Sequence, residues 1–313
     1  MANYLVTGGS GFIGSNIVRA LLDRGERVRV IDNFLTGRRE NLDGVEGKID
    51  LIEGDLSDPA QAARAVAGMD YVLHQAALPS VPRSIADPVL AEKMNIGATL
   101  ALLVAAKDAK VKRVVLASSS SVYGDAPTLP KVETMPVNPL SPYAVTKHVC
   151  ELYARLFSDL HGLETVSLRY FNVFGPRQDP TSQYSAVIPL FATAVIENRP
   201  MTIYGDGVQS RDFTYIDNVV ELNLLAATSP KAGKGEAING ACGAAINLNE
   251  LVQLLNGIAG TAVEPVYEAA RKGDVKHSLA DISRAEELLG YKTLVPMKEG
   301  LERTFDWYKG GGR

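Results

Sequence analysis

A tyrosine and a lysine near the middle of the chain could transfer a proton at an alcohol group. Tyr143 and Lys147 are four positions apart, so on a helix their side chains would lie on one face. A free tyrosine has a pKa of about 10, but a neighbouring ammonium group and the positive nicotinamide of an oxidised cofactor favour the phenolate. The phenolate could then take a hydroxyl proton while a hydride leaves the same carbon.

A run of four serines could assist this tyrosine. The predicted strand at residues 113–117 leads directly into Ser118, Ser119, Ser120 and Ser121. Ligands bind at the carboxyl ends of strands in open α/β sheets, so Ser119 could form a hydrogen bond with the reacting oxygen. The Tyr-x-x-x-Lys pattern is common by chance, and a surface tyrosine–lysine pair is therefore the alternative interpretation.

The beginning of the chain has the pattern of a phosphate-binding turn. Residues 7–14 read Thr-Gly-Gly-Ser-Gly-Phe-Ile-Gly and lie between a predicted strand at 3–7 and a predicted helix at 12–24. Glycines permit a tight turn with positive φ, and the free N–H groups at the start of the helix face an anion. This order of elements predicts a dinucleotide site. Its candidate contacts are Gly8, Gly11, Phe12, Ile13 and Gly14.

An acidic residue follows the second predicted strand, at residues 27–31. Asp32 lies about 20 residues beyond the glycines, where a carboxylate would accept hydrogen bonds from the ribose hydroxyls of adenosine. The same carboxylate would repel a ribose 2′-phosphate, which favours NAD over NADP. Arg38 and Arg39 argue weakly for NADP, because a loop arginine could reach such a phosphate.

Short segments after two further predicted strands, 50–53 and 70–73, could also contact the dinucleotide. Acidic and apolar side chains after the first could meet the adenine, and small residues after the second would let backbone lie against the cofactor. The candidates are Asp55, Leu56, Gln75, Ala76 and Ala77. We expect His74 to be structural, because no carboxylate or second histidine lies near it in the sequence.

Predicted strands and helices alternate to about residue 169, which indicates a parallel sheet with helices on both faces. The chain of 313 residues is 46% hydrophobic, enough for a large core. The sequence therefore predicts an α/β protein with a Rossmann-like, doubly wound parallel sheet and a smaller C-terminal substrate-binding lobe. We place the NAD-binding domain at 1–172 and most of the smaller lobe at 173–313.

Composition argues against several other classes of protein. A net charge of −4 gives no electrostatic footprint for nucleic acid. Met1 leads directly into the first strand, so we expect a cytoplasmic protein with neither a signal peptide nor a membrane span. Cys150 and Cys242 are expected to be reduced thiols, and four scattered histidines suggest no metal site.

With these motifs the chain resembles an extended short-chain dehydrogenase/reductase and, within that superfamily, the sugar-nucleotide 4-epimerases of the UDP-glucose 4-epimerase type. The resemblance covers nearly the whole chain. The glycine segment and Tyr-x-x-x-Lys mark only the superfamily, whereas residues 169–176 and 271–274 are more typical of nucleotide-sugar enzymes. The resemblance also implies that the chain returns to the first domain near 215–240. Predicted helices at 89–110 and 142–160 would form a homodimer's four-helix bundle.

The resemblance extends the set of site residues. Further implied NAD contacts, with Lys147 on the nicotinamide ribose, are Asn33, Asn95, Tyr143, Lys147, Tyr170 and Phe171. Arg211 and Arg271 are candidates for binding the two phosphates, because the geometry of a guanidinium group matches that of phosphate oxygens. Asp274 would hold the ribose of UDP. The complete set of candidate substrate contacts is Ser80, Ser119, Ser120, Tyr143, Asn172, Val187, Tyr204, Arg211, Arg271, Asp274 and Ser278.

The activity that the resemblance implies is an isomerase reaction, the NAD-dependent 4-epimerisation of UDP-sugars. Tyr143 would remove the 4-hydroxyl proton, the 4-keto sugar would turn over, and hydride and proton would return to its other face. A 4,6-dehydratase is the closest alternative, but that family places an Asp-Glu pair where this chain has Ser120 and Ser121. A UDP-glucuronate decarboxylase would need an arginine for the carboxylate. An NAD-sensing regulator would have lost the catalytic residues, which this chain retains.

One position bears on which sugar is accepted. Family members restricted to glucose and galactose carry a tyrosine four residues after the equivalent of Asp274, and those that accept N-acetylated sugars carry a small residue. Ser278 occupies this position, and residues 80–84 resemble the N-acetylhexosamine branch. We therefore expect UDP-N-acetylglucosamine/UDP-N-acetylgalactosamine 4-epimerase activity, with UDP-glucose/UDP-galactose as a second pair. The alternatives are that Ser278 only fills a loop, or that the enzyme is restricted to non-acetylated sugars.

Overall fold

The computed structural model describes residues 1–180, 186–270 and 276–312. Its largest sheet has seven parallel strands in the order β11-β6-β5-β4-β1-β2-β3. The strands are β1 Asn3–Thr7, β2 Arg27–Asp32, β3 Asp50–Glu53, β4 Tyr71–His74, β5 Arg113–Ser119, β6 Glu164–Tyr170, β7 Val173–Phe174, β8 Thr202–Tyr204, β9 Ser210–Arg211, β10 Thr214–Tyr215, β11 Lys234–Gly240, β12 Ile246–Asn247, β13 Val266–Glu268 and β14 His277–Ser278.

Helices cover both faces of this sheet and build much of the smaller lobe. They are α1 Phe12–Asp23, α2 Pro59–Val66, α3 Val81–Ala86, α4 Pro88–Glu92, α5 Ala98–Asp108, α6 Pro142–His161, α7 Val187–Ile196, α8 Ile216–Thr228, α9 Leu248–Ala259, α10 Ser283–Leu289 and α11 Met297–Lys309. A π-helical turn, Lys93–Gly97, joins α4 to α5, so the predicted helix at 89–110 is nearly continuous.

The two faces of the sheet bury separate apolar layers, as expected for a doubly wound fold. Successive side chains of a strand point to opposite faces, and along β5 Val114 and Leu116 join one cluster while Val115 joins the other. Ile17 of α1 packs into the layer of Val115, and Leu102 of α5 packs into the opposite layer. The predicted fold class is therefore confirmed.

The chain leaves the main sheet after β6 and later returns to it. Between these points it forms one short pair of strands, β7 with β10, and part of the smaller lobe. Then α8 packs beside α1, and β11 adds to β6 as the edge strand of the main sheet. The remaining small sheets, β8–β13 and β12-β9-β14, belong to the smaller lobe.

One helical stretch, Pro88–Asp108, is by length and composition alone apolar enough to cross a membrane. Its residues Leu102, Leu103 and Ala106 are fully buried in the layer under the main sheet. This packing is that of a core helix in a globular domain and accounts for the apolar composition.

Candidate active site

A cavity of about 510 Å³ lies at the carboxyl ends of the central strands, where open α/β sheets bind their ligands. Its walls come from the glycine-rich turn after β1, the ends of β2 to β6 and the start of α6. Predicted cofactor contacts that line it are Gly8, Gly11, Phe12, Ile13, Gly14, Asp32, Asn33, Asp55, Leu56, Gln75, Ala76, Ala77, Tyr143 and Tyr170. Ser119 lines the same cavity.

The glycine-rich turn has the close packing that a diphosphate site needs. Gly8 has a φ of +66°, and a Cβ atom there would lie 2.7 Å from the Ala76 nitrogen. A Cβ atom on Gly14 would lie 2.2 Å from the Gly8 oxygen. Gly11 precedes α1 without a side-chain cap, which leaves the first N–H groups of the helix for an anion. These residues fit the diphosphate of NAD.

Asp32 is held at the cavity wall by two backbone groups. The N–H groups of Ser10 and Phe34 donate to its two carboxylate oxygens at 2.9 and 2.8 Å. Each oxygen keeps a further lone pair that could accept from a ribose hydroxyl. Arg38 lines the cavity, whereas Arg39 pairs with the carboxylate at the end of β3. The preference for NAD therefore rests on the Asp32 carboxylate.

The proposed catalytic residues lie where the first turns of α6 meet the end of β5. Ser141 caps the helix, and proline in the first turn fixes where it begins. The Ser119 side chain forms a hydrogen bond with Tyr143. The Lys147 ammonium donates to the Ala117 carbonyl at 2.8 Å and lies 5.8 Å from the centre of the Tyr143 ring. Ser119, Tyr143 and Lys147, which the sequence predicts as a catalytic group, are thus adjacent.

Burial is the main influence on the ionisation of Tyr143 in the protein alone. Burial raises the pKa of Tyr143 to about 12, although the Ser119 hydrogen bond acts to lower it. Lys147 is itself buried, which lowers its own pKa, and its ammonium is directed to the Ala117 carbonyl. The prediction that Lys147 together with an oxidised nicotinamide lowers the pKa of Tyr143 concerns the protein with its cofactor bound and stays a prediction. Reaching the phenolate near neutral pH requires the further positive charge that an oxidised nicotinamide would bring.

Three predicted cofactor contacts, Lys147, Phe171 and Asn95, are not among the residues that line the cavity. Phe171 is fully buried in a small apolar cluster, and its N–H donates to the Gly240 carbonyl. Asn95 is 2% exposed, and its amide donates to Thr146 and accepts from the Leu78 N–H. Both side chains are occupied inside the protein. Their assignment as cofactor contacts therefore stays a prediction.

His74 is bound on both ring nitrogens inside the protein. Thr7 and Thr99 hydroxyls lie 2.7 and 2.9 Å from them, and burial lowers the histidine pKa to about 3. This is the structural role expected for it. Cys150, also buried, contacts Thr99, and both cysteines are free thiols. Within the described residues, no group of three or more His, Cys, Asp or Glu side chains could hold a metal ion.

A second cavity, of about 230 Å³, lies in the smaller lobe next to the first. Val187 at the start of α7, Tyr204 at the end of β8 and Arg211 of β9 line it. The resemblance assigned these three residues to the substrate, and that role stays a prediction. Asn172 lines both cavities and has a φ of +24°. The Arg211 guanidinium donates to the backbone carbonyls of Ser210 and Lys276, which fix its direction.

The other predicted substrate contacts either line neither cavity, as with Ser80, Ser120 and Ser278, or lie outside the described residues. Ser278 is half-buried and pairs with Arg211 in a parallel ladder, so the two side chains share a face of the small sheet. Ser80 caps α3, and Ser120 begins the turn after β5. Arg271 and Asp274 lie outside the described residues.

A buried ion pair next to the catalytic group was missed as a functional feature. Glu151 and Arg169 form two hydrogen bonds, at 2.8 and 2.9 Å, and Ser118 donates to the same carboxylate. The available sequence signal was the position of Glu151, four residues after Lys147 and therefore on the same face of α6. The partner on β6 is far away in sequence.

Comparisons with known proteins agree with this geometry. Residues 4–241 match the model of the NAD dependent epimerase/dehydratase family. The chain is 37% identical to a UDP-glucose 4-epimerase of Mycolicibacterium smegmatis, over 97% of this chain and 98% of that one. A UDP-N-acetylglucosamine 4-epimerase from Methanobrevibacter ruminantium, solved with UDP-N-acetylmuramic acid, superposes with a TM-score of 0.94 at 42% identity, covering 99% of both chains. A UDP-glucose 4-epimerase from Thermotoga maritima, solved with UDP-glucose, gives 0.93 at 37% identity and the same coverage.

The packing of the glycine turn leads to a stability prediction. Gly14→Ala should lower the free energy of unfolding by about 1–3 kcal/mol, because its Cβ atom would push α1 away from Gly8. Gly257→Ala, at an exposed position of helix α9, meets no atom within 4 Å and should raise that free energy by about 0.5–1 kcal/mol. Urea unfolding without added cofactor measures both. Equal midpoints for wild type and Gly14→Ala would contradict the packing argument.

Proposed function

The chain belongs to the NAD-dependent epimerase/dehydratase family, and we propose that it epimerises UDP-sugars at carbon 4 with tightly bound NAD. We infer that its substrates are UDP-N-acetylglucosamine and UDP-N-acetylgalactosamine, with UDP-glucose and UDP-galactose as a second pair. The observation that carries the proposal is the place of Ser119 and Tyr143, which line the dinucleotide cavity where it borders the second cavity at Asn172. A UDP-sugar with its nucleotide in the second cavity would direct its sugar towards them.

The mechanism assigns one task to each catalytic side chain. NAD, when bound, supplies the hydride acceptor and donor. Tyr143 accepts the proton of the 4-hydroxyl and later returns it to the oxygen of the opposite epimer. Ser119 holds that oxygen by a hydrogen bond, and Lys147 keeps a positive charge beside the phenol ring at 5.8 Å. The proton that leaves in the first half-reaction is thus restored in the second, and no proton is consumed.

The residues beside Ser119 favour epimerisation over dehydration. A dehydratase needs an acid to expel the 6-hydroxyl and a base at carbon 5. Here Ser120 and Ser121 follow in the turn after β5, and neither hydroxyl titrates near neutral pH. The enzyme names of the M. smegmatis and T. maritima relatives support the same choice.

Replacing the proposed base tests the mechanism. Tyr143→Phe should lower kcat by about 10²–10⁴-fold, because the ring remains and the group that accepts the proton is lost. Bound NAD, measured by its absorbance after release from denatured protein, should remain close to the wild-type amount. Tyr153→Phe, on the same helix, is the matched control and should keep wild-type turnover. Turnover within threefold of wild type for Tyr143→Phe would refute the assignment.

The case for acetylated substrates rests on Ser278. Ser278 pairs in register with Arg211, whose side chain lines the second cavity, and this neighbourhood supports a role beside the substrate although Ser278 itself is not a lining residue. A serine there leaves room that a tyrosine ring would fill. The M. ruminantium relative, named a UDP-N-acetylglucosamine 4-epimerase, supports this choice.

A serine-to-tyrosine exchange tests this gate with a control on the adjacent strand. Ser278→Tyr should reduce kcat/KM for UDP-N-acetylglucosamine by at least about tenfold and change that for UDP-glucose by less than threefold, since the ring would meet only the acetamido group. Ser210→Tyr adds the same ring on the opposite face, because Ser210 pairs with His277, and should spare both substrates. Equal losses of both substrates in Ser278→Tyr would reject the gate.

We also propose a homodimer formed through α5 and α6. These helices expose apolar side chains at helical spacing, a surface typical of an interaction site. The side chains are Val104, Val145, Leu152, Leu156 and Leu160. The same two helices were expected from the sequence to form a four-helix bundle with those of a second copy. The cytoplasmic location and the lack of nucleic-acid or membrane partners stay predictions.

A charge placed on this surface should separate the two copies. Leu156→Lys should shift the protein from the mass of two chains to that of one in light scattering after size-exclusion chromatography, because the interface would bury an unpaired ammonium. Leu294→Lys alters an exposed leucine of the other lobe and should remain dimeric. A wild-type mass of one chain at micromolar concentration would contradict the proposal.

A further inference from the structure

One face of α6 contacts the catalytic edge of the sheet at three successive turns. Tyr143, Lys147 and Glu151 are spaced four residues apart, so they lie in line along the helix. Tyr143 is bonded to Ser119, Lys147 donates to the Ala117 carbonyl, and Glu151 bonds to the side chains of β5 and β6. The first two contacts belong to the proposed catalytic group. The third has no task in the mechanism above.

Glu151 ties the helix to two strands at once. Arg169 donates to its two oxygens at 2.9 and 2.8 Å, and Ser118 donates at 2.5 Å. Ser118 and Arg169 are register partners on β5 and β6, so they reach the carboxylate from adjacent strands. The side chains of Glu151 and Arg169 are only 8% and 5% exposed. This is a buried, two-point contact, unlike the exposed ion pairs on the outer side of the same helix.

We propose that Glu151 and Arg169 are positioning residues for the reaction, and that their ion pair fixes α6 against β5 and balances the charge beside Lys147. The proposal deepens the proposed function and rests on it. Ser118, which Glu151 holds, is the direct neighbour of Ser119, and Tyr143 lies two turns before Glu151 on the same helix. A helix rises 1.5 Å per residue, so a small slide or rotation of α6 would misalign the Ser119–Tyr143 bond.

The charge balance follows from the groups around the pair. They are Tyr143, Lys147, His148 and Cys150 on α6, His74 on β4, Arg169 on β6, Tyr123 in the turn after β5, and Glu133 in the following loop. Burial keeps His74 neutral, with a pKa of about 3, and raises the pKa of Tyr123 to about 12 and that of Cys150. Of the two charges of the ion pair, that of Glu151 acts on Lys147 and favours its ammonium form.

Glu151 remains ionised in this buried place because of its partners. Burial alone would raise its pKa, but the bonds from Arg169 and the contact with His148 outweigh that effect and lower the pKa to about 2. For Lys147, burial lowers the pKa, and the negative charge of Glu151 acts in the opposite direction. Glu151 thus helps to keep the lysine charged.

The test uses variants that remove one charge, the other, or both. Glu151→Gln should lower the pKa of Lys147, because it removes a negative charge that favours the ammonium form. Arg169→Gln should raise it, and the double variant should return it close to wild type. The pKa is measured by NMR of protein with ¹³Cε-labelled lysine, with the Lys147 signal assigned from Lys147→Arg. This readout does not depend on turnover.

The positioning role is read from kinetics in the same variants. Glu151→Gln should lower kcat about tenfold with KM changed less than twofold, and the basic limb of the pH–kcat profile should move to lower pH. Asp159→Asn is the control, since it removes an exposed pair with Arg155 on the same helix and should change nothing. If Glu151→Gln does not fold, Ser118→Ala removes one bond of the clamp and should lower kcat without moving the Lys147 pKa.

The outcomes separate this proposal from the function it rests on. A wild-type protein that converts no UDP-sugar would refute the proposed function, and the Lys147 pKa series would still decide the charge balance. An unchanged Lys147 pKa in Glu151→Gln, or a double variant that does not restore it, would overturn the inference. A Ser118→Ala variant with wild-type kcat would overturn the positioning role.

Discussion

The site depends on one face of α6 being held against the carboxyl ends of β5 and β6. Tyr143, Lys147 and Glu151 lie along that face, and each finds its partner on a different backbone or side-chain group of the strands. A long polar side chain in a buried place must be bonded, or its desolvation destabilises the fold. The three contacts therefore give the buried polar side chains of α6 their bonding partners. They also place Tyr143 beside Ser119. Folding and catalytic geometry are set by the same bonds.

The same burial determines how the tyrosine can react. A phenol among protein atoms holds its proton, with a pKa of about 12, while the neighbouring lysine is bonded to a carbonyl. The protein thus positions Tyr143 but does not ionise it near neutral pH. A positive nicotinamide beside the ring would supply the missing electrostatic effect. Loss of the hydroxyl proton is therefore tied to the presence of the oxidised cofactor, which suits a reaction that begins with hydride transfer.

Local sequence patterns predicted the dinucleotide half of the site. Features that depend on packing between segments distant in sequence could not be predicted from such patterns. The glycine turn and Asp32 follow from spacing within one strand–turn–helix unit, and the structure places both on the cavity wall. Phe171 and Asn95 carry motif signals too, but whether such a side chain faces a ligand or the core depends on segments distant in sequence. The bond between Glu151 and Arg169 is hidden for the same reason. Neither residue alone indicates that two strands and a helix meet there.

The most direct test of the account is an NMR time course of the purified protein with UDP-N-acetylglucosamine and, separately, with UDP-glucose, without added cofactor. The account predicts that both are converted to an equilibrium mixture with their galacto epimers by the NAD that remains bound. Conversion of UDP-glucose alone would keep the mechanism and contradict the role of Ser278. Loss of water or carbon dioxide, or no conversion even after NAD is added, would contradict 4-epimerisation itself.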